Sequence, residues 1–166
     1  MRYKMIYILF LIFLLITIPY VITVFLSQQD KNIQFENYDS GYQVISGNDK
    51  DDLETYLLKI LPGQISMDQE NEAVKAQAVI LRTDIIRRME NKKQIARQKL
   101  PYTTYENSEY RKKLGNRSYQ SMDQKRKKSV SETRGKVITY KNKLIEPYFH
   151  ALSVGMTLDS REWFGK

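Results

Sequence analysis

The sequence predicts an α+β protein in which a single N-terminal transmembrane helix precedes a small extracytoplasmic mixed domain. Three observations lead to this prediction. Residues 5–26 carry no charged side chain, residues 66–89 repeat apolar positions at helical spacing, and residues 137–149 show the pattern of a β-hairpin. Because 166 residues suffice for one modest domain beside an anchor, we expect one domain with one long amphipathic helix and one hairpin.

Residues 5–26 form the predicted transmembrane anchor. Ile, Leu, Phe and Val dominate them, and at about 1.5 Å per helical residue the segment spans a hydrocarbon core of about 30 Å. Arg2 and Lys4 place the tip, residues 1–4, in the cytoplasm by the positive-inside rule. A cleaved secretory signal is the alternative, but its apolar stretch is usually only about 7–15 residues long. We therefore expect a single-pass protein of the cell membrane, in which all residues after the span lie on the extracytoplasmic side.

Residues 27–52 are polar and rich in aspartate, and they predict an acidic stalk with one short strand at residues 42–45. The folded domain is expected to cover residues 53–166. Its first element is a helix over residues 53–61, where leucine and isoleucine recur at spacings of three and four. Pro62-Gly63 is expected to end this helix.

The main helix is predicted to open at Ser66, because Gln69 follows at the spacing of a capping box. Acidic side chains in the predicted first turn stabilise the helix by interacting with the positive end of its dipole. The apolar positions are expected to bury one face against a sheet or another helix. They are Val74, Ala78, Leu81, Ile85 and Met89, and Ala73, Ala76 and Ile80 are expected to widen the apolar side.

The segment from Arg87 to Lys143 is strongly basic, with eighteen Lys and Arg against five Asp and Glu. Tyrosines 102, 105, 110 and 119 interleave with these charges. The mixture suits carbohydrate stacking, an anionic polymer or nucleic acid, whereas a solvated basic helix and loop is the simpler explanation. No nucleic-acid motif accompanies the charge, so a nucleic-acid partner is not favoured.

The end of the chain predicts strands at residues 137–140 and 144–145, joined by a turn at residues 141–143. The chain contains no cysteine, which excludes disulfides and a cysteine nucleophile. His150 is the sole histidine, so the usual ligands of a zinc site are lacking. We therefore expect neither a metal nor a cofactor.

Residues 72–83 read Glu-Ala-Val-Lys-Ala-Gln-Ala-Val-Ile-Leu-Arg-Thr, which resembles the central signature of the stage II sporulation protein D (SpoIID/LytB) family of bacterial cell-wall proteins. Residues 133–137 and 149–157 resemble a second family motif, in which a Thr-x-Gly-x-Val strand leads to Phe-x-x-x-Ser-x-Gly-x-Thr. Trp163 follows, as a tryptophan often does in the family. The resemblance covers residues 53–166, which correspond to the first portion of the family domain.

The resemblance implies lytic cleavage of peptidoglycan glycan strands by one carboxyl group that acts first as acid and then as base. The family places its catalytic glutamate eight residues before Glu72, where this chain has Gln64. An amide has no proton to donate near neutral pH, and losing general acid–base help costs about 10²–10⁴-fold in rate. We therefore expect a peptidoglycan-binding or regulatory pseudoenzyme that lacks a catalytic residue at this position.

The resemblance also implies which side chains bind the glycan. Glu54, Asp68, Glu70 and Glu72 are the acids nearest to Gln64, and none replaces the family's glutamate without shifting the alignment. A structural ion pair of Glu72 with Lys75 is an equally good interpretation for the signature charges. The expected substrate-binding residues are Gln64, Glu72, Lys75, Arg82, His150, Ser153 and Thr157.

Two other functions stay open at this point. One is an active lytic transglycosylase that uses another acid, and the other is a basic surface protein that binds an anionic polymer such as teichoic acid. The expected partners are glycan strands of the wall, the membrane through residues 5–26, and other cell-wall or sporulation membrane proteins. Sporulation and vegetative wall growth are both compatible with these expectations.

Overall fold

The structure is a computed structural model that describes residues 2–29 and 39–149, and the chain divides into two compact units, residues 1–34 and 35–166. The first unit contains helix α1, Arg2–Gln29, whose apolar side chains are exposed. Its segment Tyr3–Val24 is long and apolar enough to cross a membrane, judged by length and composition. The apolar helix predicted over residues 5–26 is therefore present.

The second unit has the α+β composition that the sequence predicts. Four helices and two small sheets occur in its described part. The elements are β1 Gln43–Ser46, β2 Asp49–Asp52, α2 Leu53–Gln64, α3 Asn71–Arg88, β3 Gln94–Ala96, a 3-10 turn Arg97–Lys99, α4 Asn107–Leu114, α5 Asn116–Glu132, β4 Thr139–Tyr140 and β5 Lys143–Leu144.

Residues 43–52 belong to the folded unit, so the structure corrects the predicted stalk, which extended to residue 52. Strand β1 is antiparallel to β2 and parallel to β3, so the strand order in this sheet is β2-β1-β3. Asp52 also caps α2, because its carboxylate accepts from the backbone N–H of Glu54 at 2.9 Å and from Ser40. The aspartate content predicts a stalk, whereas this aspartate begins a helix.

Helix α2 continues through Pro62 to Gln64, so the prediction that Pro62-Gly63 ends it is wrong. A proline has no N–H to donate to the carbonyl four residues earlier, which here belongs to Leu58. The guanidinium of Arg126 donates to that carbonyl at 2.9 Å instead. The neighbouring carbonyl of Lys59 accepts from the backbone N–H of Tyr105 at 2.8 Å. Donors distant in sequence therefore satisfy the helix carbonyls next to the proline.

Helix α3 begins at Asn71, five residues later than the predicted start at Ser66. The hydroxyl of Ser66 accepts from the backbone N–H of Asp68 at 3.3 Å, which forms a local turn in place of a helix cap. The apolar face of the helix is confirmed, since Val74, Ala78, Leu81, Ile85 and Met89 are all buried. Of the residues expected to widen this face, Ala73 and Ile80 are half-buried, whereas Ala76 is exposed.

The basic segment forms helices α4 and α5, and α5 packs against α2 and α3. Arg126 in α5 is only 1% exposed and donates to Asp123 and Asn107. Its guanidinium also lies 5.6 Å from the ring centroid of Tyr110. A basic residue in the middle of a charge run is therefore part of the core, because both of its terminal nitrogens donate to acceptors of the protein.

A buried ion pair joins three helices at the centre of this unit. Arg82 in α3 and Glu54 in α2 are each 1% exposed, and the guanidinium donates to both carboxylate oxygens, at 2.8 and 2.6 Å. Arg82 also donates to the hydroxyl of Thr133, just past α5, at 3.5 Å and to the carbonyl of Lys136 at 3.2 Å. One side chain thus fixes the start of α2, the middle of α3 and the segment that follows α5.

Thr83, the residue after Arg82, binds the backbone just beyond Lys136. The hydroxyl of Thr83 donates to the carbonyl of Val79 at 2.7 Å and accepts from the backbone N–H of Ile138 at 3.0 Å. The chain then enters the predicted hairpin, in which β4 pairs with β5 across Lys141 and Asn142. Both turn residues have positive φ, 49° and 61°, as a two-residue hairpin turn requires.

The ion pair makes a stability prediction. Replacing Arg82 or Glu54 by alanine leaves the other charge buried without its partner, so we expect the free energy of unfolding to fall by about 3–5 kcal/mol. The measurement is chemical denaturation of the full chain in detergent, followed by circular dichroism.

Two comparisons separate charge from packing. The apolar double variant Glu54→Leu with Arg82→Met should recover most of the loss, because neither charge then remains buried. The surface variant Lys75→Ala serves as the control and should change the midpoint far less. Equal losses for Lys75→Ala and Arg82→Ala would contradict the role of the buried pair.

Candidate functional site

The end of α2 forms one side of an open groove. Gln64 is the last residue of the helix and is half-buried there. The groove has a volume of about 390 Å³. It is lined by residues 62–68 together with Tyr110, Leu114 and Met122 from the two basic helices.

A second depression of about 460 Å³ shares Met67, Asp68 and Met122 with the first, so the two are continuous along α5. Its other lining residues project from that helix. They are Arg117, Ser118, Ser121 and Lys125. We refer to both depressions together as the Gln64 groove.

The Gln64 groove combines an apolar floor with hydrogen-bonding groups along its walls. Met67 and Tyr110 are buried beneath it, and burial raises the pKa of the Tyr110 hydroxyl above its ordinary value. Tyr110 also packs edge-on against Tyr119, with ring centroids 6.1 Å apart. Amide, hydroxyl, carboxylate and cationic groups surround this floor, so the groove offers hydrogen-bond donors and acceptors around an apolar surface.

One acid lies in the groove with Gln64. Asp68 lines both depressions, is exposed, and shares a hydrogen bond with the hydroxyl of Ser66. Glu54 is buried against Arg82 and lies at the opposite end of α2, about 15 Å from Gln64 at 1.5 Å per helical residue. Among the acids considered from the sequence, Asp68 is therefore the one that lines this groove.

The charged residues of the signature have other contacts. Lys75 is paired with Glu72 at 2.7 Å and with Glu132 of α5 at 2.6 Å, and hydrogen bonds to these carboxylates, Glu132 first, raise the pKa of its ammonium group. The pairing of Glu72 with Lys75 was one of the two interpretations from sequence. Arg82 is buried with Glu54 and does not line the groove.

Three of the predicted substrate-binding residues, His150, Ser153 and Thr157, lie outside the described residues. Of the remaining four, Gln64 alone lines the groove. The sequence analysis did not single out Arg117 and Ser121, and it treated Lys125 only as part of the basic run, although the three follow one another at a spacing of four on α5. On a helix that spacing places them on one face.

The cations at residues 125–128, which form one of the basic clusters, are engaged within the protein. Lys127 pairs with Asp123 at 2.8 Å, and Lys128 lies 3.8 Å from Glu132. Lys125 donates to the backbone carbonyl of Gln69 across the groove. The charge run is therefore a set of local ion pairs and hydrogen bonds on α5, which reduces the field it presents to a polyanion.

The sequence was also compared with known proteins. The profile of the stage II sporulation protein family, SpoIID, matches residues 40–140. Stage II sporulation protein D of Bacillus subtilis (strain 168) is 29% identical over 119 residues, which are 68% of this chain and 35% of the relative. The protein of the same name from Bacillus amyloliquefaciens has the same identity and coverage.

An uncharacterized protein of Brachyspira hyodysenteriae is 32% identical over 113 residues, 68% of this chain and 29% of that protein. The chain thus spans about a third of the length of the curated relatives that it matches. No solved structure matches it. Because the family profile covers more than half of the sequence and includes β1 to β4 with the buried Arg82–Glu54 pair, the chain belongs to the stage II sporulation protein (SpoIID) family.

Proposed function

We propose that this protein is a membrane-anchored domain that binds peptidoglycan glycan strands in the Gln64 groove and lacks lytic activity. Family membership suggests a sporulation-related cell-wall protein, and the apolar helix α1 suggests an anchor with its N-terminus in the cytoplasm. The observation that carries the proposal is the position of Gln64. A half-buried amide lines an open groove at the place where the family resemblance puts a catalytic carboxyl group.

The chemistry of an amide explains why binding is proposed without cleavage. Gln64 offers one carbonyl acceptor and an NH₂ donor, which can hold a hydroxyl or an N-acetyl group of a sugar. Cleavage needs a proton for the leaving oxygen, and a neutral amide has none to give. The side chain therefore keeps the recognition part of the site and removes the acid.

The other walls of the groove fit the same ligand. Ser118 and Ser121 supply hydroxyl groups, and Arg117 supplies a cation that can bind the carboxylate of a lactyl group or a peptide. The two depressions adjoin at Met67, Asp68 and Met122, so a ligand that fills both contacts α2, α4 and α5. An extended glycan strand suits such a site better than a single small molecule.

A second candidate function is lytic cleavage by Asp68, which lies in the same groove. Its exposure speaks against it, because catalytic acids of glycosidases are typically partly desolvated so that they hold a proton near neutral pH. A third candidate, a surface receptor for an anionic polymer, has Arg117 and Lys125 in its favour. The internal pairing of the neighbouring lysines makes it the weaker explanation.

Binding is tested by sedimentation of the full chain, held in detergent, with purified peptidoglycan sacculi. We expect Gln64→Ala to weaken binding about two- to tenfold, since a neutral hydrogen bond contributes about 0.5–1.5 kcal/mol and tenfold corresponds to about 1.4 kcal/mol. Gln98→Ala is the matched control, because Gln98 is exposed on the 3-10 turn and away from the groove.

Binding to sacculi should also persist in moderate salt, whereas capture of an anionic polymer should weaken steeply as salt rises. Failure of the wild-type chain to sediment, or equal binding by the Gln64 and Gln98 variants, would contradict the proposal.

Catalysis is tested with Gln64→Glu, which restores a carboxyl group with almost no change in shape. We expect no anhydro-sugar products from the wild-type chain, and an increase of about 10²–10⁴-fold over its background for the variant. Mass spectrometry of digested glycan strands provides the measurement. Anhydro sugars released by the wild-type chain and abolished by Asp68→Asn would establish the second candidate instead.

A further inference from the structure

A separate pocket lies between the three-stranded sheet and the middle of α2. Its volume is about 260 Å³, below the roughly 300–1,000 Å³ of pockets for drug-sized ligands, so its ligand is small. None of its lining residues borders the Gln64 groove. They are Val44, Ser46, Asp49, Asp51, Tyr56, Lys59, Arg97, Thr104 and Glu106.

The pocket contains a buried hydroxyl whose proton has no acceptor. Tyr56 is only 1% exposed, and its hydroxyl donates to no group within the described part of the chain, since the nearby guanidinium of Arg97 is itself only a donor. A hydroxyl in this position costs about 1–3 kcal/mol, and native structures rarely leave one unsatisfied. Burial raises the pKa of this hydroxyl, against the opposing charge of Arg97, so it keeps its proton and can donate. An unused donor of this kind points to a ligand that accepts from it.

The charges around the hydroxyl are of both signs. Lys59 pairs with Asp51 at 2.8 Å and lies 3.8 Å from Glu106. Asp49 is exposed on β2 and makes no hydrogen bond or ion pair to any described residue. Arg97 uses one nitrogen to donate to the hydroxyl of Thr104 at 2.7 Å, which orients its guanidinium at the wall. An unpaired carboxylate therefore shares the pocket with an oriented guanidinium.

This arrangement excludes simple ions. A metal ion would meet two cations, Lys59 and Arg97, and residues 39–149 contain no group of three side chains that could hold one. A phosphate or sulfate would meet three carboxylates, which repel it. A ligand that presents a cation to Asp49 and an anion to Arg97 matches both signs.

We propose that this pocket binds a zwitterionic amino-acid group, with its ammonium on Asp49 and its carboxylate on Arg97 and the Tyr56 hydroxyl. Such a group exists in a free amino acid and at the side-chain end of a diamino acid within a wall peptide, where an amine and a carboxylate share one carbon. The choice of the wall peptide rests on the proposed glycan-binding function. The assignment of a zwitterion is independent of that function.

The fold connects this pocket to the groove through one loop. Thr104 and Glu106 line the pocket, while the ring of Tyr105 between them packs against Gly63, the residue before Gln64. A Cβ atom on Gly63 would lie 2.6 Å from that ring, so the contact needs glycine. Tyr56 and Gln64 are separated by about 12 Å along α2 at 1.5 Å per residue. A strand in the groove could therefore place an attached peptide in the pocket.

The experiment measures binding to the full chain in detergent by calorimetry with three probes. The first is a wall tripeptide ending in diaminopimelate, the second is the same tripeptide with lysine in that position, and the third is free alanine. We expect the diaminopimelate peptide to bind at least tenfold more tightly than the lysine peptide, which lacks the side-chain carboxylate. Alanine that binds as well as the diaminopimelate peptide would assign the pocket to free amino acids.

Variants locate the binding in the pocket. Asp49→Asn and Tyr56→Phe should each weaken binding of the preferred probe about tenfold, whereas Glu109→Gln, the same kind of charge removal on exposed α4, should not. Tyr56→Phe removes a buried hydroxyl whose proton has no acceptor, so the fold should tolerate it. Equal affinity for the two peptides with no binding of alanine, or binding unaffected by both pocket variants, would overturn the proposal.

The same variants separate this inference from the glycan site. Peptide-free glycan strands should bind the wild-type chain and Asp49→Asn equally. Loss of glycan binding with retained zwitterion binding would remove the proposed function and keep the pocket. The reverse result would remove the pocket alone.

Discussion

The buried pair of Arg82 and Glu54 is the interaction on which the arrangement of the second, α+β unit depends. It lies where α2, α3 and the segment after α5 meet, and the hydroxyl of Thr133 and the carbonyl of Lys136 accept further hydrogen bonds from the guanidinium. Two charges removed from water are stable only when such partners are all present. The arrangement explains why the helix signature and the later Thr-x-Gly-x-Val motif occur in one family, because one motif binds the other.

A second constraint sets the shape of the Gln64 groove. Helix α2 carries a proline in its last turn, and Arg126 of α5 binds the carbonyl that the proline leaves without a donor. The helix therefore continues far enough to bring Gln64 to the groove, and α5 is held beside it. The wall formed by Arg117 and Ser121 follows from the same contact, since both lie on α5. The contact that satisfies the Leu58 carbonyl therefore also holds the two sides of the groove together.

The two proposed ligand sites differ in how charge is used. In the groove, most cations of α5 are engaged by carboxylates or carbonyls of the protein, so hydrogen bonding and an apolar floor dominate. In the pocket beside Tyr56, a carboxylate and a guanidinium face the same small volume. Both sites border α2 and are separated by a loop whose Tyr105 packs on Gly63. A wall polymer that carries sugars and amino acids offers ligands of both kinds.

The sequence by itself determined the long apolar helix at the N-terminus, the buried face of α3 and the hairpin of β4 and β5, because each follows from local periodicity or turn chemistry. It also identified the family through the signature around Arg82. The tertiary structure alone decided that α2 passes Pro62, that Asp52 is a helix cap and that Arg126 is a core residue. Each of these depends on a partner that is distant in sequence or belongs to the backbone, such as the Leu58 carbonyl for Arg126. The pattern of side chains along the sequence does not reveal such a partner.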